Sequence, residues 1–366
     1  MNTAADSENP AQTGSSSKPT DVGGASATPE LAALFTQAEP QLAACFTSDI
    51  QLQDLLKTHF TEAQWAEFSP AMAELGTRSG AELYREQQAD RLNEPRLTQW
   101  DAWGQRIDHI ELTPVWQKAA GIAAEYGVVA HGYEDEHGPA ARLHQFAMAY
   151  LFIPSTDLFG CPLAMTDGAA TTLKHSGNQE LIQRALPHLL SRDPQQFWTS
   201  GQWMTETTGG SDVSKTETIA RQDDNGQWRL YGRKWFTSAA TSEMTLTLAR
   251  PEGAPAGSKG LALFYLEPHD EQGRLNHIEV LRLKDKLGTR KLPTAELWLN
   301  GVPATPVAGL ERGVANITPM LNITRTWNAV TASALLNRGF VLAQSYARKR
   351  RAFGQYLIDL PLHRST

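Results

Sequence analysis

The sequence has few cysteines and no long hydrophobic run. Its 366 residues include two cysteines, Cys45 and Cys161, whose separation matches neither a metal-binding nor a redox spacing. A reduced compartment is therefore the simplest inference. The longest apolar run, residues 146–153, is too short to span a bilayer. Residues 1–30 carry one basic residue, Lys18, and no secretion-type apolar stretch, so we predict a cytoplasmic protein without membrane contact.

An excess of positive charge is also absent. The formal net charge of −7 excludes a general attraction to nucleic-acid phosphates, so such contact would need a local basic patch. The sequence contains no Gly-x-x-x-x-Gly-Lys phosphate loop, no His-Glu-x-x-His zinc helix and no Gly-x-Ser-x-Gly nucleophile elbow. The stretch HGYEDEHG, residues 131–138, contains histidine and acidic residues of the kind that bind metals. We interpret it as a solvated loop and predict no metal, because nothing in the sequence makes its side chains converge.

The pattern of apolar residues divides the chain into four segments. Residues 1–30 lack large apolar side chains and are predicted to be a disordered tail. Residues 31–198 show helical spacing, residues 199–305 contain short alternating strands bounded by turns, and residues 306–366 are helical again. This order predicts an α+β protein with an N-terminal helical domain, a central antiparallel domain that is either a β-barrel or a β-sandwich, and the start of a C-terminal helical bundle.

The last helical segment carries an apolar stripe through Leu335, Leu336, Phe340 and Leu342. Few residues follow it before Thr366, so little downstream sequence is left to cover this face. We therefore expect a truncated chain, or one whose remaining helices come from elsewhere.

The segment WMTETTGGSD, residues 203–212, places glycines and hydroxyl groups beside large apolar side chains. Glycine lets a ligand approach the main chain closely, and Thr205 and Ser211 can both donate and accept hydrogen bonds. Such a segment suits a flat ring with polar edges. The alternative is a simple loop that leads into a strand, since Gly, Ser and Asp are common in turns.

A second candidate segment is RKWFTSA, residues 233–239. In a regular strand, Thr237 would project from the same face as Trp235, two residues before it. An indole surface beside a hydroxyl could hold one face and one edge of a heteroaromatic ring. Trp235 could equally be an ordinary core residue, because aromatic side chains dominate cores.

A third candidate segment is ARKRRAFG, residues 347–354, with four consecutive basic residues at a helix end. These residues could be a solvated cap that interacts favourably with the helix dipole. They could also bind a diphosphate, because arginine holds phosphate oxygens with two hydrogen bonds, or form a short nucleic-acid patch.

The three segments, in this order and on this architecture, resemble the acyl-CoA dehydrogenase family of flavoproteins. The matching elements are Thr205-Glu206 with Gly210-Ser211-Asp212, Trp235-Phe236-Thr237, and Arg350 with Phe353-Gly354. The stretches GQRIDHIELTPVWQ, residues 104–117, and RLKDKLGTRKLPTAELWLNG, residues 282–301, are similar to the AidB-like branch of that family. Thr207 and Ala352 depart from the family pattern.

The resemblance implies FAD as cofactor and assigns roles to individual residues. Trp235 would cover the flavin ring and Thr237 would reach its polar edge. Arg350 and Phe353 would contact the adenine-dinucleotide part of FAD bound to a neighbouring subunit. The full set of implied cofactor-binding residues is Met204, Thr205, Gly210, Ser211, Trp235, Thr237, Arg350 and Phe353.

The resemblance also implies an activity, the dehydrogenation of an acyl-CoA thioester between Cα and Cβ. That reaction needs a carboxylate base, which in most family members lies in a region beyond residue 366, so no catalytic residue is predicted here. Glu206 is more plausibly structural. The implied partners are an acyl-CoA substrate, an electron-transferring flavoprotein and further copies of the chain in a homotetramer.

A different function is implied by the AidB-like branch alone. In this alternative, the protein is a flavoprotein of the alkylation-damage response that binds DNA and has little dehydrogenase turnover. DNA would bind through the missing C-terminal region, so a basic groove there favours this alternative, whereas a carboxylate at the substrate mouth favours the enzyme.

Overall fold

The computed structural model describes residues 37–365, so the predicted tail of residues 1–30 lies outside the described part. Residues 40–345 form one compact unit, and residues 37–39 and 346–365 belong to a second. The predicted boundaries of the three domains remain predictions. Within residues 37–365, no helix combines the length and the apolar character needed to cross a membrane.

The first half of the larger unit is mainly helical. Its helices are α1 (Ile50–His59), α2 (Glu62–Gly80), α3 (Glu82–Ala89), α4 (Pro114–Glu125), α5 (Pro139–Phe152), α6 (Gly160–Ser176) and α7 (Gln179–Leu189). Side chains define several starts: Asp49 caps α1, and Thr61 and Gln64 form a reciprocal capping box at α2. One element was not predicted, an antiparallel hairpin of β1 (Arg96–Trp100) and β2 (Arg106–Glu111) between α3 and α4.

A buried carboxylate joins the helices of this region. Asp167 on α6 accepts hydrogen bonds from Tyr133 at 2.7 Å, Arg142 at 2.7 Å, Gln145 at 3.0 Å and the Trp327 indole at 2.8 Å. Two of these donors lie on α5, and Trp327 lies on the later helix α8 (Gly313–Ala347). The carboxylate is fully satisfied, so it holds the helices together and is not available for chemistry.

The middle of the chain forms a closed barrel. Its strands are β3 (Ser200–Trp203), β4 (Ile219–Gln222), β5 (Trp228–Thr237), β6 (Met244–Pro251), β7 (Ala262–Leu266), β8 (Ile278–Leu283) and β9 (Ala295–Pro306). Pairing runs β6-β4-β5-β9-β7 and returns to β6, while β3 adds to β6 and β8 to β9. The predicted α+β architecture with a central barrel is confirmed. Its pairing is mixed, because β6 pairs in parallel with both β3 and β4.

Helix α8 follows the barrel and retains exposed apolar side chains. Leu336 and Phe340 are 75% and 60% exposed, which agrees with the predicted uncovered stripe. In the smaller unit, β10 (Arg351–Ala352) and β11 (Gln355–Tyr356) form a short hairpin, followed by α9 (Pro361–Arg364).

Candidate functional site

The first candidate segment leaves β3 and folds back in a tight turn. The Glu206 N–H donates to the Gly209 carbonyl at 3.1 Å, and the Gly209 N–H donates to the Glu206 carbonyl at 3.2 Å. Gly210 then packs against the preceding threonine, since a Cβ at Gly210 would lie 3.0 Å from Thr205 Cγ2. The glycine therefore allows the loop to return close to Thr205.

Two hydroxyl groups of this loop remain free for a ligand. Thr205 is half-buried and Ser211 is exposed, and neither hydroxyl makes a hydrogen bond within residues 37–365. Met204, by contrast, is buried, so only its backbone could serve a ligand. Thr205 and Ser211 thus offer one sheltered and one exposed hydroxyl at predicted cofactor-binding positions.

A backbone hydrogen bond brings the first two candidate segments together. The Trp235 N–H on β5 donates to the Thr205 carbonyl at 2.9 Å. Trp235 is half-buried, so the residue retains some accessible surface close to the Thr205 backbone. The structure therefore brings together an aromatic surface and a polar loop that are 30 residues apart in sequence.

Thr237 differs from its predicted orientation. The pairing of β5 with β9 is irregular between Lys234 and Thr237, so the two-residue alternation does not hold there. Phe236 is exposed while Thr237 is fully buried. The Thr237 hydroxyl donates to the Ala295 carbonyl at 2.5 Å, which uses its only proton and leaves only its lone pairs for another group.

Lys234 is a buried residue that sequence reasoning missed. Its ammonium donates to Glu206 at 2.7 Å and to the Leu248 carbonyl at 2.9 Å. Burial alone would raise the pKa of Glu206, but the Lys234 charge and further hydrogen bonds hold it below its ordinary value. Glu206 is therefore a paired structural carboxylate. In a regular strand Lys234 would point away from the face of Trp235, and this sequence signal could have identified a buried lysine.

Positive charge collects around the Trp235 ring. The Lys284 ammonium lies 3.2 Å from the ring centroid, and the Arg233 guanidinium carbon lies 5.0 Å from it. Both cations, together with Arg282, donate to the buried carboxylate of Glu296 at 2.6–2.7 Å. Burial would raise the pKa of Glu296, but these donors hold it below its ordinary value. Three cations around one carboxylate leave a local excess of positive charge.

The third candidate segment lies in the smaller unit. Phe353 and Gly354 connect β10 to β11, and both have positive φ, 52° and 80°. The Phe353 side chain is 94% exposed, and the Arg350 side chain is exposed, with a 3.5 Å contact to Gln37. A bulky residue at positive φ is uncommon and is held here at the tip of a hairpin.

The predicted solvated loop is wrong for part of residues 131–138. His131 is buried, and one ligand atom from each of His131, Glu134 and His144 lies within 4.8 Å of the others. Among the described residues, neither ring nitrogen of His144 has a hydrogen-bond partner, and burial lowers the pKa of His144 to about 3. However, Arg192 donates to both His131 and Glu134, and this charge disfavours a metal cation at the cluster. Convergence depends on His144, which lies on a different helix and outside the predicted loop.

Known protein families match most of the described chain. The model of the AidB N-terminal domain (adaptive response protein) matches residues 37–195, and the model of the acyl-CoA dehydrogenase middle domain matches residues 201–302. The chain belongs to the acyl-CoA dehydrogenase family. The predicted resemblance, including its AidB-like component, is confirmed.

Relatives agree with this assignment over nearly the whole chain. Acyl-CoA dehydrogenase family member 11 of Caenorhabditis elegans is 43% identical over 341 residues, covering 91% of this chain and 55% of the relative. The solved structure of C. elegans ACDH-11 in complex with C11-CoA has a TM-score of 0.87, 43% identity and coverage of 90% and 57%. The apo form of Bd2924 has a TM-score of 0.88, 48% identity and coverage of 90% and 67%. The chain spans about half the length of the curated relatives it matches.

Proposed function

We propose that the protein is an FAD-dependent acyl-CoA dehydrogenase that removes hydrogen from Cα and Cβ of an acyl thioester. The observation that carries this proposal is the hydrogen bond from the Trp235 N–H to the Thr205 carbonyl. It brings together an accessible indole ring and a loop with unused hydroxyls. A flavin, with apolar faces and polar edges, needs both kinds of surface.

The donor set of the loop fits this cofactor. Thr205 and Ser211 offer hydroxyls without a partner in the described chain, and the Met204 and Gly210 backbones lie beside them. Trp235 would cover the ring, while Thr237 could only accept a hydrogen bond there. Arg350 and Phe353 would contact the adenine-dinucleotide part of a cofactor held by a neighbouring subunit.

The residues of this chain would bind and orient rather than remove the Cα proton. FAD, when bound, supplies the acceptor for the hydride that leaves Cβ. The cations around Glu296 favour an anionic ligand near Trp235, as expected for a cofactor or substrate that carries phosphates. Glu206 is not proposed as the base, because its oxygens already accept hydrogen bonds from Lys234, Thr218 and Glu217.

The proposed substrate is an acyl-CoA, and the worm relative was solved with C11-CoA. We also propose a homotetramer, and an electron-transferring flavoprotein as the electron acceptor. Both proposals follow from the family and not from a contact in this chain.

Visible absorption of the purified protein tests the proposal. The protein should be yellow, and anaerobic addition of an acyl-CoA panel that includes C11-CoA should bleach the flavin band with at least one thioester. Colourless protein that takes up no added FAD would contradict the cofactor assignment.

The AidB-type match over residues 37–195 favours one alternative, a DNA-binding flavoprotein with little turnover. Yellow protein that no acyl-CoA reduces would support this alternative. A salt-dependent mobility shift with duplex DNA would then be expected.

A further inference from the structure

Glu206, within the candidate flavin loop of residues 203–212, is held by an unusually complete set of partners. One oxygen of Glu206 accepts from Lys234 Nζ at 2.7 Å and from the Thr218 hydroxyl at 2.5 Å. The other oxygen accepts from the Glu217 N–H at 2.6 Å. The side chains of Glu206 and Lys234 are 3% and 0% exposed. The pair is therefore desolvated and geometrically fixed.

A buried ion pair of this kind needs an explanation other than stability. Removing two charges from water costs free energy that their attraction only partly offsets, and apolar pairs of similar volume are often as stable. Such pairs are better explained where they specify one arrangement among several. Here the pair connects the loop to three strands, through Thr218 before β4, Lys234 on β5 and the Leu248 carbonyl on β6.

The arrangement that it specifies involves two adjacent pairs of residues. Glu206 contacts Lys234 through side chains. Thr205, the residue before Glu206, contacts Trp235, the residue after Lys234, through a backbone hydrogen bond of 2.9 Å. These two contacts fix the register of the loop along β5. A shift of the loop by one residue along β5 would break both contacts together.

We propose that Glu206 and Lys234 are positioning residues that hold the loop in register with β5, so that Thr205 and Trp235 meet one flavin together. This inference rests on the proposed function. The pair touches neither cofactor nor substrate in this role. It acts by preorganising the turn through Gly209 and Gly210, from which Ser211 extends.

The test replaces both charges at once, because either single change would leave a buried charge unpaired. The double variant Glu206→Leu/Lys234→Met should fold, but its FAD dissociation constant should rise about tenfold, and the flavin absorption band should change shape. The matched control is Arg184→Met/Glu267→Leu, which removes an ion pair of 2.7 Å outside the loop. It should leave FAD affinity unchanged.

A readout that needs no FAD separates this inference from the proposed function. Amide hydrogen exchange of the double variant should accelerate at residues 205–212 and at Trp235, while the barrel strands keep their protection. Unchanged exchange and unchanged FAD affinity in the double variant would overturn the positioning role. Wild-type protein that binds no FAD would instead overturn the proposed function, and the exchange result would still decide whether the pair holds the loop.

A milder variant covers the case in which the double variant does not fold. Thr218→Val removes the hydroxyl that donates to Glu206 and keeps both charges. Loop exchange should accelerate and FAD affinity should fall about threefold, the size expected for one hydrogen bond. Wild-type exchange and affinity in this variant would contradict the inference.

Discussion

The larger unit contains two buried ionisable clusters, one built around a pair of opposite charges and the other around a neutral histidine. Glu206 and Lys234 face each other as opposite charges, Glu206 also accepts from the Glu217 N–H, and Lys234 also donates to the Leu248 carbonyl. His144 instead lies against Phe68 at a ring separation of 4.1 Å, and neither of its ring nitrogens has a hydrogen-bond partner in residues 37–365; its pKa is lowered to about 3. A charge survives burial where strands fix its partner, and is given up where aromatic stacking is the main contact.

The largest expected effect comes from breaking the charged cluster on one side only. Lys234→Met should lower the free energy of unfolding by about 3–5 kcal/mol at neutral pH, because the Glu206 carboxylate would remain buried without its counter-charge. Chemical denaturation measures this loss. Lys259→Met, at an exposed lysine, is the control and should change stability by less than about 0.5 kcal/mol.

The pH dependence of that variant sharpens the comparison. The pKa of Glu206 is lowered in the folded wild type, so its contribution is present above the unfolded pKa and is lost as pH falls through the lower folded value. In Lys234→Met the carboxyl should instead protonate readily. The difference in the free energy of unfolding between wild type and Lys234→Met should therefore narrow as pH falls from neutral to below the unfolded glutamate pKa of about 4.5, and a constant difference would contradict the burial argument.

The His144 cluster should begin to lower the stability of the protein at a higher pH than the Glu206–Lys234 pair does. The unfolded chain protonates His144 near pH 6.5, whereas the folded chain resists protonation down to about 3. Stability should therefore fall by about 1.4 kcal/mol per pH unit below pH 6.5 on account of this residue. His131, whose pKa is also lowered, adds to the same trend.

Replacing the histidine tests this assignment. His144→Phe should flatten the decline in stability between pH 6.5 and 4.5, measured by denaturation at several pH values. His175→Phe, at an exposed position, should keep the wild-type slope. Equal slopes in the two variants would assign the acid sensitivity to another group.

Arg350→Ala tests the site residue of the smaller unit and should have an intermediate effect. FAD affinity should fall about tenfold through loss of charge-assisted hydrogen bonds to phosphate. Arg348→Ala, at an exposed neighbour on the same segment, is the control. Unchanged FAD binding in an intact oligomer would remove Arg350 from the site.

The smallest expected effect is at the loop glycine. A Cβ at Gly210 would lie 3.0 Å from Thr205 Cγ2, so Gly210→Ala should displace the loop slightly and weaken FAD binding about threefold. Gly121→Ala in α4 has its nearest contact at 3.5 Å and should instead stabilise the protein by about 0.5–1 kcal/mol. Titration of FAD and thermal unfolding separate the two outcomes.

Local patterns were sufficient to predict the element types, whereas only the family resemblance placed the first two candidate segments at one flavin. Alternation of apolar residues identified the barrel, and helical spacing identified the segments around it. The hairpin of β1 and β2 was missed because it is short and lies between helices. Its exposed strands carry little of the apolar alternation on which strand prediction depends.

Features that depend on long-range contacts could not be predicted. The irregularity near Thr237 arises from pairing with β9, about 60 residues later, and it turns a predicted ligand hydroxyl into a buried donor to Ala295. Likewise, His144 joins His131 through packing of separate helices. Sequence spacing contains no signal for either contact.

Hydrogen exchange with and without FAD is the most direct test of the central claim that the Thr205 loop and Trp235 form one flavin site. Residues 203–212 and 233–237 should gain protection together when FAD is added. Protection of only one of these segments, or of neither while FAD binds elsewhere, would contradict it.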